Sequence, residues 1–146
     1  MKTTLTEDAG IEYPIICGAM YPCSNPELVA AASDGGGIAI VQPVSATMVH
    51  GYDEPNTMEG LRLAINRIRT LTDKPIGFNA LIEKGSERYL NRMSEWIDIA
   101  LEEGIRFFVT SLGKPDWVCE RVHAKGGVVY HDVTNRFHAK KGIECG

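Results

Sequence analysis

Five times along this chain a short run of apolar residues gives way to a longer stretch in which apolar side chains recur every three or four positions. The short runs suit strands buried on both faces, and the longer stretches suit helices with one buried face. Residues 13–16 form the first run and stop at Cys17-Gly18-Ala19-Met20, as a strand feeding a tight loop does. Asn25, Pro26 and Glu27 then supply a cap, a proline for the first turn and an acid for the positive helix end. Leu28, Ala31 and Ala32 follow on one face, glycines 35–37 end the helix, and Ile38–Val41 makes the second strand. A polar connection is expected over residues 42–56.

The sharpest periodicity comes next, with Leu61, Ala64, Ile65, Ile68 and Leu71 on one helical face and Arg62, Asn66, Arg67 and Arg69 on the other. Residues 76–81 predict a third strand that carries a polar Asn79 inside an apolar segment. Met93, Trp96, Ile97, Ala100 and Leu101 mark a second amphipathic helix stopped by Gly104, and 106–110 the fourth strand. Pro115 and Asp116 open a shorter helix that Lys125, Gly126 and Gly127 close. Val128–His131 is the fifth strand, and 135–144 a weaker helix interrupted by Gly142.

Alternation of this kind predicts a parallel sheet covered by helices. It does not separate an open doubly wound sheet from part of a closed barrel. Length bears on that choice, because 146 residues hold about five such units whereas a closed eight-unit barrel takes ~250 residues. With 44% hydrophobic residues and a net charge of −4, the chain reads as one soluble domain whose core needs no disulfide or metal. Cys17, Cys23, Cys119 and Cys145 lack ligand spacing, which points to reduced thiols in a cytoplasmic protein and to no metal site. The acidic balance gives no footprint for nucleic acid. No apolar run approaches the ~20 residues of a membrane span, and the first ten residues lack the order of a signal peptide.

In either architecture ligands meet the carboxyl ends of the strands, which singles out residues 17–20, 42–44, 79, 110–113 and 131–134. Gly18 in a tight turn lets backbone amides approach a flat ligand or a phosphate, or serves the turn alone. Asn79 must be satisfied by neighbouring backbone or by a ligand offering both donor and acceptor. His131 and Asp132 are adjacent on a strand and so face opposite ways, which leaves one of them for a barrel interior. His50, His123 and His138 are expected at the surface, and Cys17 has no base at a defined spacing. The glycines at 35–37 follow a helix and precede a strand, so no dinucleotide fingerprint is present.

The segments PIICGAM, NPELVAAASDGGGIAIV and LRLAINRIRTLTDKPIGFNAL resemble, in order, the opening of the nitronate monooxygenase family of flavin enzymes, once called 2-nitropropane dioxygenases. VTSLGKP and VYHDVTNRFHAKKGIECG are similar to the family's fourth and fifth units. The resemblance implies an α/β fold of TIM type, a (β/α)8 barrel with about its first five units in this chain and FMN at the carboxyl ends of the strands. It implies that Gly18, Ala19 and Met20 line the flavin ring through backbone contacts and that Asn79 hydrogen-bonds to FMN. Thr110, Ser111 and Asp132 would border the cofactor or substrate. Family members oxidise small alkyl nitronates with oxygen to carbonyl compounds and nitrite, with the flavin as redox group.

The family's catalytic histidine and its FMN phosphate segments lie beyond the fifth unit, so no histidine here takes that role. On this reading residues 1–146 form a partial FMN-binding domain that retains FMN weakly and is inactive alone. Two open strand edges predict self-association. Two other readings stand beside it: a flavin-dependent enoyl-acyl-carrier-protein reductase, and a noncatalytic half-barrel module for binding or assembly.

Overall fold

The computed structural model describes residues 2–50, 57–83 and 85–145. Its elements run α1 (Thr4–Ala9), β1 (Ile16–Cys17), α2 (Pro26–Asp34), β2 (Ile38–Val41), α3 (Pro43–Met48) and α4 (Thr57–Leu71). They continue with β3 (Ile76–Ile82), α5 (Glu87–Glu102), β4 (Phe107–Leu112), α6 (Asp116–His123), β5 (Val128–His131) and α7 (Arg136–Ile143). The five strands are parallel and lie in sequence order, β1-β2-β3-β4-β5, in a sheet curled as a half-barrel. Neighbours in sequence are therefore neighbours in space, which is the order of a barrel and excludes a doubly wound sheet.

The register sets two faces. Val41, Phe78 and Phe108 lie side by side across β2, β3 and β4. They point outward into a core with Leu61, Ile65, Ile68, Met93, Trp96, Ile97, Val118 and Val122 of the covering helices. The alternate positions Ile38, Ile40 and Phe107 point inward and pack with Ala9 of α1. Gly77 makes that inner packing feasible: a Cβ there would come within 2.5 Å of Ile40 Cδ1 and 3.1 Å of the Phe107 carbonyl oxygen. Helix α1 thus sits in the amino-terminal mouth of the curl, capped by Thr3. Its Asp8 accepts a 3.0 Å hydrogen bond from the Tyr130 hydroxyl of β5.

Sequence periodicity located four long helices and the central strands closely. Asn25 and Ser86 cap α2 and α5 by accepting from the backbone N–H of Leu28 and Tyr89. Four features differ from expectation. Helix α1 was not signalled, since only Leu5, Ala9 and Ile11 mark its apolar contact. The first strand is Ile16–Cys17 rather than 13–16, because Tyr13 turns away and the Ile15 carbonyl accepts from Ile38 N–H at 2.9 Å. The connection expected as polar contains α3, whose Ser45, Ala46 and Thr47 are buried, while residues 51–56 lie outside the described residues. Gly142 does not interrupt α7; the His131 ring lies where a Cβ at 142 would stand 3.3 Å from its Cδ2.

The strands are not uniformly buried. All of β2 is buried, while β5 is half-buried throughout. Exposed apolar side chains gather along both edges, at Tyr13, Ile15 and Tyr21 beside β1 and at Val133, Phe137 and Ile143 beyond β5. Helix α7 has no buried residue. No helix among the described residues is long and apolar enough to cross a membrane.

Candidate functional site

The strand ends at the carboxyl side bring together residues from opposite ends of the sequence. On the inward face, Gly18 and Ala19 after β1 meet Tyr130 of β5 and Asp132 just beyond it across a cavity of about 360 Å³. Ile16, Ile40 and Val109 form its apolar floor. A Cβ at Gly18 would find no atom within 4 Å, so this peptide presents a bare surface to open space. Asn79 has the inward parity of Gly77 and Val109, its register partner. Its half-buried side-chain amide has no hydrogen-bond partner among the described residues.

The loop after β1 is held by groups that sequence reasoning did not single out. Met20 donates its N–H to Ser24 Oγ at 2.9 Å, and its carbonyl accepts from the Ser24 N–H at 2.8 Å and the buried Ser45 hydroxyl at 3.3 Å. Gln42 in turn caps α3 by accepting from Ser45 N–H at 2.9 Å. The Met20 amide is therefore used within the fold, and only the Met20 side chain is exposed to a ligand. A serine four positions after a strand-end Met is too ordinary a signal to mark this brace.

Ser111 and Asp132 have inward parity at the ends of β4 and β5, and both line an outer cavity of about 520 Å³. This second space opens between the loop after β4, the loop after β5 and α7, with Pro115, Val133 and His138 among its walls. Asp132 borders both cavities. Its backbone N–H donates to the Thr110 carbonyl at 2.8 Å, while its carboxylate has no partner among the described residues.

Thr110 departs from the expected place. It has outward parity and is fully buried, and its hydroxyl lies 2.8 Å from His131 Nδ1. Thr110 itself does not line the inner cavity, while His131 borders it and sets its ring beside Gly142 of α7. Leu112, the last residue of β4, holds φ 74° and is 71% exposed. Tyr130 reaches the inner cavity from below; burial first, then the Asp8 acceptor, push its phenol above the ordinary value, so it is protonated and donating. Among the described residues no group of acids, thiols and imidazoles is placed to hold a metal.

A bare peptide above an open floor, with the unpartnered Asn79 amide on the same face, fits a flat, polar-edged ring such as the isoalloxazine of a flavin. Comparison with known proteins agrees with that chemistry at the level of family. The nitronate monooxygenase family model matches residues 2–132. A Rhodococcus jostii protein named (3aS,4S,5R,7aS)-5-hydroxy-7a-methyl-1-oxo-octahydro-1H-indene-4-carboxyl-CoA dehydrogenase is 31% identical over 100% of this chain and 37% of its own length. The nitronate monooxygenase of Pseudomonas aeruginosa is 30% identical over 67% of this chain and 25% of its own. Among solved structures, FabK of Thermotoga maritima superposes with a TM-score of 0.79 at 26% identity, covering 100% of this chain and 42% of that one. The nitroalkane oxidase of Streptomyces ansochromogenes shares the fold with a TM-score of 0.75 at 21% identity, over 99% of this chain and 46% of that one. The chain thus spans between a quarter and just under half the length of these relatives. With strand order, curl and family model in agreement, this chain belongs to the nitronate monooxygenase family, a family of oxidoreductases.

Proposed function

We propose that residues 1–146 form part of an FMN-binding barrel domain and supply the flavin-facing strand ends of an oxidoreductase acting on a small molecule. The observation that carries this reading is the open Cβ position at Gly18 on the same inward face as the unpartnered Asn79 amide. The Gly18 and Ala19 peptides would hold the ring flat, the Asn79 amide would both donate to and accept from its polar edge, and Met20 would touch it by side chain. Ser111 and Asp132 would border the ring and substrate, with Thr110 acting through His131 rather than directly. Bound FMN would supply electron transfer to and from substrate, while the protein orients and desolvates it. The free thiols suit a reducing cytoplasmic setting.

Alkyl nitronates, oxidised with oxygen to carbonyl compounds and nitrite, are the substrates that family membership supports. An acyl thioester is the second reading, favoured by the match of the Rhodococcus carboxyl-CoA dehydrogenase across all of this chain. Supplying FMN and measuring nitrite from a nitronate against nicotinamide oxidation with an enoyl thioester separates the two. Residues 1–146 alone should turn over neither; turnover of neither by a complete barrel that carries these residues with FMN bound overturns the enzymatic reading and leaves a noncatalytic half-barrel module. The apolar rims beside β1 and β5 lead us to infer self-association, which sedimentation as a stable monodisperse monomer would contradict.

A further inference from the structure

The amino-terminal mouth of the curl, at the other end of the strands from the inner cavity, holds a cleft of about 480 Å³. It opens between α1, the turn from α4 into β3 and the turn from α5 into β4. Arg69, Lys74 and Arg106 border it, and none of the three forms an ion pair with a carboxylate among the described residues. Arg62, Arg67 and Arg121, by contrast, each bond a carboxylate. The two cleft arginines are nonetheless anchored, each by one nitrogen. Arg69 Nη1 donates to the Lys74 carbonyl at 2.8 Å, and Arg106 Nη1 to the carbonyls of Leu101 and Ile105 at 2.8 Å each. The Nε and Nη2 donors of both guanidiniums are left without a partner among the described residues. Such a pair of parallel donors matches the two oxygens of a carboxylate. Asp8 and Asp73 also border the cleft; Asp8 already accepts from the Tyr130 hydroxyl, and Asp73 attracts Arg69 through space without bonding it. Cations thus outnumber acids here, although the chain carries a net charge of −4. Ala9, Ile76 and Phe107 give the cleft an apolar floor.

We propose that this cleft binds a short dicarboxylate, with one carboxylate on the Arg69 fork, the other on the Arg106 fork and the methylene spacer on the apolar floor. The cleft shares no lining residue with the inner cavity, so the assignment is independent of the flavin reading. Its volume lies in the range of about 300–1,000 Å³ usual for small-molecule sites. Binding needs both forks, because both arginines are exposed and a single exposed ion pair contributes little. A ligand with one anionic group, FMN included, engages one fork and is held weakly.

Glutarate, butyrate and inorganic phosphate, titrated into the 146-residue protein at one pH and low salt, read the cleft through the amide signals of Asp73, Lys74, Gly104 and Arg106. Glutarate should displace these signals and bind about tenfold more tightly than butyrate or phosphate. Arg69→Gln or Arg106→Gln should bring glutarate to within about twofold of butyrate. Arg67→Gln, which removes an exposed arginine paired with Glu27, should leave the difference intact. Where a glutamine variant fails to fold, the corresponding lysine variant keeps the charge but loses the fork, and should narrow the difference to about threefold. Equal binding of glutarate and butyrate, phosphate binding as tight as glutarate, or a difference that survives loss of either fork overturns the proposal. Displacements centred on Gly18 and Ala19 instead, or no response to any of the three ligands, overturn it as well.

Discussion

Gly18→Ala sets ligand contact against stability at one position. An ideal Cβ there meets no heavy atom within 4 Å, and Gly18 is not among the residues with positive φ. The folded state accepts the methyl group without a clash. The unfolded chain loses freedom, so stability should rise by about 0.4–1 kcal/mol. The penalty falls on a flat ligand, which the methyl lifts off the peptide. A gap of about 0.5–1 Å forfeits a quarter to a half of each ~0.1–0.2 kcal/mol atom contact. Over roughly 20 such contacts this is about 1 kcal/mol, or about a fivefold weaker dissociation constant. Urea unfolding read by tryptophan fluorescence gives the first quantity, since Trp96 is fully buried in the outer core, and FMN titration gives the second. Loss of more than about 1 kcal/mol of stability, or FMN binding unaffected by the methyl, would refute the reasoning.

Three further substitutions probe the frame around the site. Gly127→Ala places a Cβ 2.6 Å from the Arg106 carbonyl oxygen, which cannot swing aside; the urea midpoint should fall by an amount worth about 1–3 kcal/mol. Leu112→Gly relieves a φ of 74° at a side chain that is 71% exposed, so thermal stability should rise by about 1 kcal/mol, and a lower Tm would contradict this. Tyr130→Phe removes the hydrogen bond to Asp8 and should cost about 0.5–1 kcal/mol at neutral pH, given its exposure. Because the folded phenol is held above its ordinary value of 10.0 by burial and by Asp8, its contribution is complete below that pH and is lost as pH rises through the folded value. The gap between the two proteins should therefore close in alkali, and a gap independent of pH would count against the Tyr130–Asp8 tie.

The sheet and its covering helices were legible because their signals are local. Leu61, Ile65 and Ile68 repeat at the helical period, and Phe78 and Phe108 stand in strands that are apolar throughout. Choosing the barrel over an open sheet from the sequence needed the family resemblance, since strand order is long-range information that periodicity does not carry. The inward face was harder to read. Gly18, Asn79 and Asp132 stand out in the sequence because strand ends are few and a polar residue or a glycine is conspicuous there. The facing of Thr110 is not legible in the sequence, because β4 runs on past 110 to Leu112 and only that register turns Ser111 inward and Thr110 outward. Ser24, Ser45 and Gln42 escaped notice because their work is done by hydrogen bonds to backbone that no spacing encodes. Helix α1 escaped because six residues give too short a pattern, and its anchor is a tyrosine over a hundred positions away.

The proposed chemistry of this chain requires an isoalloxazine ring on its inward strand ends. An assigned amide spectrum recorded while FMN is added tests it most directly. Displacements are expected at Gly18, Ala19, Asn79, Ser111 and Asp132 and their inward neighbours alone, with the outer faces of α4 and α5 unmoved. Displacements centred on the helix faces, or none at saturating FMN, would contradict it.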